Sequence, residues 1–142
     1  MTSPISPVTP CAWAPIPSRT LPAPHFAYSP VVRSGGFIHV SGLVGLDPSH
    51  GGLVVGGMAA EVQQILLNLN GLCDELGITL RQLMLARIYC ADFAQFGVIN
   101  EYWESFFLGR SPPARTSVGV AALPLGALVE MEFQFAIDFS LP

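Results

Sequence analysis

The amphipathic segment over residues 58–76 limits the fold more than any other feature of the sequence. Its apolar residues recur at spacings of three and four, and Gly77 follows the last of them. This spacing predicts an α-helix with one buried face, ended by a residue that tolerates a positive φ. Because one helix cannot enclose a core, its apolar face must pack against another layer. The apolar positions are Val62, Ile65, Leu66, Leu69, Leu72, Cys73 and Leu76.

Runs with β-strand character flank this helix. Residues 31–33 and 37–42 lie on either side of a Gly-Gly turn and predict a β-hairpin. The run 53–55 predicts a short edge strand before the helix. After the helix, the mostly apolar run 83–91 predicts a strand that is buried on both faces.

A second amphipathic helix is predicted over residues 92–108. Asp92 offers an N-cap oxygen, and Gln95 stands three residues later, as in a capping box. Aromatic residues then recur at helical spacing, which is typical of a stripe that faces the core.

The last third of the chain predicts two strands, over 115–120 and 129–135, in which polar and apolar residues alternate. Arg115 lies on the polar face of the first strand, and Glu130 and Glu132 lie on that of the second. We expect the two strands to be adjacent, which would place the arginine and both carboxylates on one side of a sheet.

The order of these elements predicts an α/β (α+β) fold, with a single sheet and both helices packed on one of its faces. The opposite face carries the polar side chains. Three copies that close their sheets around an axis would turn this face into interface pockets.

Composition also favours self-association. Hydrophobic residues make up 51% of the chain and charged residues only 11%, against roughly 25% charged in an ordinary soluble domain. A homo-oligomer would bury the surplus apolar surface. Mean hydropathy is +0.51, yet no apolar run approaches the roughly 18 to 20 residues of a membrane span, so no membrane association is expected. The N-terminus lacks the pattern of a secretory signal, which favours a cytoplasmic location.

The charged residues exclude several classes of partner and chemistry. The net charge is −4, and all six basic residues are scattered arginines. Nucleic acid is therefore not an expected partner, because phosphate binding needs a clustered basic surface. The absence of lysine excludes a Schiff base on this chain, and pyridoxal phosphate chemistry with it. The cysteines and histidines show no metal-ligand spacing, so no metal is expected.

Residues 1–24 contain seven prolines. Prolines at this density remove backbone donors and fix φ, so we expect an extended or disordered N-terminal arm. A single domain over residues 25–142 would follow it.

Several short blocks occur in order between Tyr28 and Ala136. They are residues 28–33 (Tyr-Ser-Pro-Val-Val-Arg), 37–42 with its terminal Ser-Gly, 46–48 (Leu-Asp-Pro), 100–102 (Asn-Glu-Tyr), 113–118 (Pro-Ala-Arg-Thr-Ser-Val) and 122–132 (Ala-Leu-Pro-Leu-Gly-Ala-Leu-Val-Glu-Met-Glu). Together these blocks resemble the reactive-intermediate deaminases of the RidA/YjgF family, and several ordered matches are more specific than one motif.

The resemblance implies a chorismate-mutase-like fold, in a homotrimer that closes a central barrel and has active sites at its subunit interfaces. It implies hydrolysis of a small 2-imino or 2-enamino carboxylic acid to the 2-oxo acid and ammonia, without a cofactor. Carried over by position, Arg115 would bind the substrate carboxylate and Glu130 would hold or activate the attacking water. Physical chemistry agrees, because a guanidinium fork matches a carboxylate bidentately.

The same resemblance assigns the remaining residues of the expected site. Tyr28 would form a wall of the pocket, Ser41, Gly42 and Ser117 would line it, and Asn100 would lie near it on a helix. We also expect Arg115 to keep the Glu130 carboxylate ionised.

The chain departs from the family pattern at positions that should surround the pocket. Leu43, Val44 and Gly45 stand where members commonly have Gln, Ile and Pro, and Gly119 stands where a glutamate is often found. These changes make the pocket rim less polar, which suggests a larger, more apolar imine, a pathway-specific enamine or relaxed activity.

Other interpretations stay open at this point. Without the family, Arg115 and Glu130 are an ordinary cross-strand ion pair. The chain is alternatively a non-catalytic trimer that binds small carboxylates or partner proteins. A third possibility is a mutase or lyase acting on a dicarboxylate, for which Arg87 is the candidate second cation.

Overall fold

The sheet starts at an edge formed by the proline-rich arm. In the computed structural model, which describes residues 12–137, the two-residue strand β1 (Ala14–Pro15) pairs antiparallel with β2 (Val31–Ser34). Strand β2 then pairs with β3 (Phe37–Leu43) across the Gly-Gly turn, where Gly35 has a φ of 54°. The predicted hairpin is therefore confirmed. The short strand predicted at residues 53–55 is wrong, because only an isolated bridge joins Leu46 and Leu53 there.

Helix α1 (Gly57–Leu76) forms where the periodicity predicts it. Its apolar stripe is buried. Gly77 ends the helix with a left-handed φ of 68°, and the N–H of Ile78 donates to the carbonyl of Cys73 at 3.0 Å. This is the expected use of glycine after a helix, because a Cβ would be strained at that φ.

The second half of the chain contributes β4 (Leu83–Cys90) and helix α2 (Phe96–Phe106). The helix is shorter than predicted, because a 3₁₀ turn occupies residues 93–95. The predicted capping box is wrong. The Asp92 carboxylate caps no backbone N–H and instead accepts a hydrogen bond from the Gln95 side chain at 2.7 Å.

Two further strands complete the sheet, β5 (Ala114–Gly119) and β6 (Val129–Ala136), in the order β1-β2-β3-β6-β4-β5. The predicted adjacency of β5 and β6 is wrong, because β4 lies between them. Strands β4 and β5 are parallel and joined through α2, as in a βαβ unit, whereas β6 returns antiparallel to both β3 and β4. Strand β5 therefore forms an edge of the sheet.

Both helices contact each other and share one apolar core with the sheet, so they cover the same face. On β4 this face carries Ala86 and Ile88, both fully buried. The intervening Arg87 and Tyr89 are half-buried and point to the opposite face. The structure thus contains one mixed sheet with two helices on one side. Within residues 12–137, neither helix is long and apolar enough to cross a membrane.

Residues 12–24, which belong to the predicted arm, lie against the sheet and the first helix. They form β1 and then run along α1, where the Glu75 carboxylate accepts hydrogen bonds from the N–H groups of Arg19 and Thr20. Leu21 is consequently buried against the core. The rest of that prediction, residues 1–11, lies outside the described residues.

Candidate active site

Four of the seven predicted site residues line one cavity of about 430 Å³. Tyr28 lies before β2, Ser41 and Gly42 lie near the end of β3, and Glu130 is the second residue of β6. Because β3 and β6 are paired neighbours, the sheet brings these residues together. We call this group the Glu130 hollow.

The Glu130 carboxyl group packs directly over the backbone of Gly42. A Cβ atom at residue 42 would lie 2.8 Å from Cδ of Glu130, which is closer than real Cβ contacts allow. The pairing between β3 and β6 also shifts register between Val40 and Leu43, next to this contact. Glycine is therefore required here for close approach rather than for an unusual φ.

Backbone contacts hold the wall on the other side of the hollow. The Ser41 hydroxyl donates to the carbonyl of Ser29 at 2.7 Å, and the Ser41 N–H donates to the carbonyl of Pro30 at 2.8 Å. The Tyr28 N–H donates to the carbonyl of Phe26 at 2.9 Å. The Tyr28 ring is 54% exposed, so it stands at the mouth of the cavity and is free to contact a ligand.

The environment of Glu130 favours its neutral form. Burial of the half-buried side chain raises the pKa of Glu130, and the nearby charge of Glu132 raises it further. A carboxylate with a raised pKa is a stronger base when it is ionised. The cavity therefore holds a carboxyl group that is suited to taking a proton from water.

Glu132 is itself held in a polar cluster on the open face of the sheet. It accepts a hydrogen bond from the Tyr89 hydroxyl at 2.5 Å and lies 3.5 Å from Nη1 of Arg87 and 3.6 Å from Nε2 of His39. The hydrogen bond to Glu132 raises the pKa of Tyr89. Arg87 is thus engaged by Glu132 and does not line the Glu130 cavity.

The other three predicted site residues lie elsewhere, around the edge strand β5. The Arg115 guanidinium carbon lies 5.8 Å from the centre of the Phe96 ring and 5.6 Å from that of Trp103. Asn100 shares this face of α2, because it is four residues after Phe96 and three before Trp103. Ser117 follows Arg115 on the same face of β5. We call Asn100, Arg115 and Ser117 the Arg115 edge.

The two polar side chains that β5 contributes to the Arg115 edge differ in exposure. Arg115 is exposed, and its charge is met by aromatic faces. The Oγ of Ser117 is buried and has no hydrogen-bond partner among residues 12–137. This hydroxyl is enclosed by the chain's own atoms, so it does not form part of the exposed surface of the edge.

The expectation that Arg115 and Glu130 share one side of the sheet is wrong. Arg115 is in register with Ala86, which faces the helices, whereas Glu130 is in register with Tyr89, which faces away from them. Within one chain, Arg115 therefore neither forms a cross-strand ion pair with Glu130 nor keeps it ionised. The physical reason is that β4 separates the two strands and sets the register of each.

The cavity also contains residues that the sequence patterns did not identify. Phe26 and Leu125 stand at its rim, and Asn68 of α1 reaches its base, where its amide donates to the carbonyl of Leu46 at 2.8 Å. Buried Glu61 accepts a hydrogen bond from the N–H of Leu128 at 2.8 Å and so holds the loop before β6. The sequence offered one signal for Asn68 and Glu61. Both are polar residues next to the apolar stripe of a predicted helix, where a buried polar side chain needs a hydrogen-bond partner.

The site residues offer acid–base and anion-binding chemistry. In the part of the chain that the structure describes, no three His, Cys, Asp or Glu side chains are grouped so as to hold a metal ion. The hollow supplies Glu130 as a base in a cavity that is open to water. The edge supplies Arg115 as a cation that can bind the carboxylate of a small ligand.

Comparison with known proteins finds one family model and several relatives of similar sequence. A family model described as Endoribonuclease L-PSP matches residues 18–137. The 2-iminobutanoate/2-iminopropanoate deaminase of Mus musculus is 40% identical over 117 residues, which cover 82% of this chain and 86% of the relative. The Homo sapiens protein of the same name is 36% identical over 105 residues, with 74% and 76% covered.

Solved structures extend the likeness to the fold. RidA from an Antarctic Psychrobacter is 32% identical with a TM-score of 0.80, and the match covers 87% of this chain and 99% of that one. A Rid family protein from Yersinia pestis is 28% identical with a TM-score of 0.83, covering 89% and 100%. Since the family model matches most of the chain, this protein belongs to the RidA/YjgF family, whose family model is described as Endoribonuclease L-PSP.

Proposed function

We propose that this protein is an imine/enamine deaminase that hydrolyses a 2-imino or 2-enamino carboxylic acid to the 2-oxo acid and ammonia. We also propose that it acts as a homotrimer, in which the Glu130 hollow of one protomer meets the Arg115 edge of the next. The observation that carries this proposal is the separation of two complementary halves, a base in a cavity and an exposed cation, on opposite faces of one sheet.

Several features support assembly through these two surfaces. Among residues 12–137, strand β5 pairs with β4 alone, and Val118 on β5 is 41% exposed. Phe26, Tyr28 and Leu125 at the hollow are more than half exposed. Only 11% of the residues are charged, so apolar side chains must form much of the surface of an isolated chain. Apolar patches of this kind normally mark interfaces, and a closed ring would use both surfaces in every copy.

Arg115 is proposed to bind the carboxylate of the substrate. Its guanidinium fork can donate two parallel hydrogen bonds to a carboxylate, which fixes both the position and the orientation of a small molecule. The rings of Phe96 and Trp103 hold the guanidinium in place without neutralising its charge. Ser117 lies on the same face of β5, but its Oγ is buried and is not assigned a contact with the substrate.

Glu130 is proposed to act as the base that activates water. As the water oxygen bonds to the carbon of the protonated imine, the C=N π electrons pass to nitrogen and one water proton passes to Glu130, which gives a neutral carbinolamine. Glu130 then returns this proton to the nitrogen, the C–N bond breaks with its electron pair on the departing ammonia, and the hydroxyl oxygen gives its proton to Glu130 as the carbonyl forms. Ammonia takes up that last proton and leaves as ammonium, so Glu130 is ionised again. The imine carbon is already electrophilic, so placing the water and the base is most of the task, and a positioned base contributes about 10² to 10⁴-fold.

The family model is described as an endoribonuclease whereas the relatives are named deaminases, and the site favours the deaminase. Binding of RNA phosphates requires clustered basic residues. This chain has no lysine and a net charge of −4. We therefore propose a small carboxylate as the substrate, with neither nucleic acid nor membrane as a partner. The buried free thiols of Cys73 and Cys90 are consistent with a reducing, cytoplasmic setting.

The activity is tested by adding the protein to an amino-acid oxidase that releases 2-imino acids in solution. We expect faster release of ammonia and 2-oxo acid than in the uncatalysed reaction. Arg115→Ala should lower kcat/KM at least a hundredfold, since charge-assisted bidentate bonds are lost. Arg110→Ala is the matched control, because Arg110 also lies over an aromatic ring, that of Phe106, but outside the site.

Two results would contradict the proposal. One is no acceleration with any aliphatic or aromatic imine. The other is an Arg115→Ala protein as active as the Arg110→Ala control. The non-catalytic alternative predicts that Glu130→Gln keeps both carboxylate binding and biological effect, whereas a deaminase would keep the binding and lose turnover.

A further inference from the structure

Glu61 is a buried residue with a carboxyl group to which the proposed mechanism gives no role. It lies in the first half of α1 and is only 3% exposed. Its Oε1 accepts a hydrogen bond from the N–H of Leu128 at 2.8 Å. Burying a carboxyl group costs free energy unless it is hydrogen-bonded, so its use here must lie in the bond that it makes.

The segment that Glu61 holds leads directly to the proposed base. Leu128 lies two residues before Glu130 in the chain. The carbonyl of Leu128 accepts a hydrogen bond from the N–H of Ala91 at 2.9 Å, while its own N–H donates to Glu61. The start of β6 is therefore held from two sides, by the end of β4 and by α1, before the chain reaches Glu130.

The backbone of Glu61 also contacts the segment that leaves β3. A Cβ atom at Gly45 would lie 2.9 Å from both Cα and the carbonyl oxygen of Glu61, so the loop after β3 packs directly on α1 at this residue. Two turns further along α1, the amide of Asn68 donates to the carbonyl of Leu46 at 2.8 Å. Since Gly45 comes three residues after Gly42, one side of α1 holds both chain segments that meet in the hollow.

Backbone pairing between β3 and β6 ends just before this point. Within residues 12–137, the pairing shifts register after Val40, and its last pair joins Leu43 to Met131. Glu130 is the next residue along β6 and lies beyond that pair. Contacts with α1 therefore link the two segments where pairing between the strands no longer does.

We propose that Glu61 is a positioning residue for the deaminase reaction, and that its bond to Leu128 keeps the Glu130 carboxyl group over Gly42. The inference rests on the proposed function and adds a residue to it. Glu61 acts only through the backbone of β6 and does not contact the substrate. Because displacement of a catalytic group by about 1 Å can cost about a hundredfold in rate, a bond two residues from the base is able to control turnover.

The experiment replaces Glu61 by two residues of similar shape, glutamine and methionine. Glutamine keeps an oxygen that accepts from the N–H of Leu128, whereas methionine offers only a weakly accepting sulfur. In the coupled imine assay, Glu61→Met should lower kcat about tenfold to a hundredfold and leave KM within about threefold, because Arg115 is unchanged. Glu61→Gln should keep both constants within about threefold of wild type, because the hydrogen bond is kept.

A shorter side chain gives a second test at the same position. Glu61→Asp keeps the charge but removes one methylene, so its carboxylate no longer reaches the N–H of Leu128 at hydrogen-bond distance. It should slow turnover as Glu61→Met does, and it replaces the methionine variant if that variant is isolated unfolded.

Gln82→Met is the matched control. Gln82 also accepts a hydrogen bond from a backbone N–H, that of Thr79 at 2.9 Å, but it does not line the hollow. This variant should lower the melting temperature and keep the wild-type kcat. A Glu61→Met protein with wild-type kcat, or a Glu61→Gln protein as slow as Glu61→Met, would overturn the inference.

A titration separates failure of this inference from failure of the proposed function. Carbon NMR of labelled glutamate follows the ionisation of Glu130 without any turnover. Burial raises the pKa of Glu130, so a carboxyl group that moves away from Gly42 into water has a lower pKa. We expect this fall in Glu61→Met and not in Glu61→Gln or Gln82→Met. The other titratable groups near Glu130 are the same in all of these proteins: His25, Tyr28, Arg87, Tyr89 and Glu132.

The two possible failures then give different results. An unchanged pKa of Glu130 in Glu61→Met overturns the positioning role, even if the wild-type protein hydrolyses imines. A fall in that pKa in a protein that hydrolyses no imine supports the positioning role and contradicts the proposed function alone.

Discussion

The two halves of the candidate active site differ in how far one chain completes them. In the Glu130 hollow, folding alone seats the carboxyl group over Gly42 and fixes Ser41 against the backbone of Ser29. In the Arg115 edge, the guanidinium is exposed beside two rings, and the Ser117 hydroxyl has no partner within residues 12–137. Folding of one chain therefore orders the hollow, whereas it leaves the guanidinium of the edge exposed.

This difference suggests how the catalytic roles are divided. The base requires a fixed pKa and a fixed position, and both follow from burial within a single chain. The cation requires only an open approach to a carboxylate, and an edge strand offers one. If the halves meet between protomers, activity depends on assembly and therefore on protein concentration.

The largest expected effect comes from dividing the two halves between different chains. Arg115→Ala and Glu130→Gln should each lower kcat/KM by about 10² to 10⁴-fold when assayed alone. When the two variants are co-assembled in equal amounts, about a quarter of the sites should be intact. A site is intact only where a protomer that keeps Glu130 meets a neighbour that keeps Arg115, and random assembly into a ring produces this pair in about a quarter of the interfaces. Activity of co-assembled proteins carrying different tags measures this recovery.

The control for that experiment is to mix the two variants after each has assembled separately, which should restore nothing on the time scale of the assay. A co-assembled protein that stays as inactive as its parents would show that both groups act from the same chain or that one of them is not catalytic.

A smaller contrast is expected between two glycines, Gly42 in the hollow and Gly119 on β5 next to the Arg115 edge. At Gly42 an added Cβ would displace the Glu130 carboxyl group, and displacement of a catalytic group by about 1 Å can cost about a hundredfold in rate. At Gly119 it would lie 3.3 Å from the exposed Phe93 ring, which can move. We therefore expect Gly42→Ala to lower kcat/KM about a hundredfold and Gly119→Ala by less than about threefold.

Neither glycine has a positive φ, so both alanine variants should keep wild-type circular dichroism spectra and melting temperatures within a few degrees. Equal losses of activity in the two variants would mean that the Arg115 edge is as tightly enclosed as the hollow.

The local elements of the fold were predictable from sequence because they depend on periodicity. The apolar spacing identified α1 and α2, and strand alternation identified β5 and β6. The order of strands in the sheet was not predictable in this way. Alternation shows which residues of one strand share a face, but the register against β4 decides whether that face meets the helices.

The site residues could likewise be predicted only in part, because the sequence identifies individual residues but not which of them the folded sheet brings together. The family resemblance led to Tyr28, Ser41, Gly42 and Glu130, which lie around one cavity. It could not show that Arg115 lies on the other side of the sheet. Phe26 was missed because it lies in a proline-rich segment without periodicity, where no pattern reports which side chains face a cavity.

The smallest expected effect is a shift in the pH dependence of kcat/KM, caused by a change in the surroundings of Glu130 alone. Glu130 must be ionised to accept a proton, so kcat/KM should fall as the pH drops through its pKa, which burial and the charge of Glu132 raise above the usual range. Glu132→Gln removes that charge and keeps an acceptor for Tyr89, and Arg87 and His39 stay beside residue 132. The pKa of Glu130 should then fall, and the acid limb of the kcat/KM profile should move to lower pH.

Asp74→Asn is the control for this shift. It removes an exposed carboxylate on α1 and should leave the acid limb in place. A limb that moves to higher pH, or that moves equally in both variants, would show that a group other than Glu130 controls it.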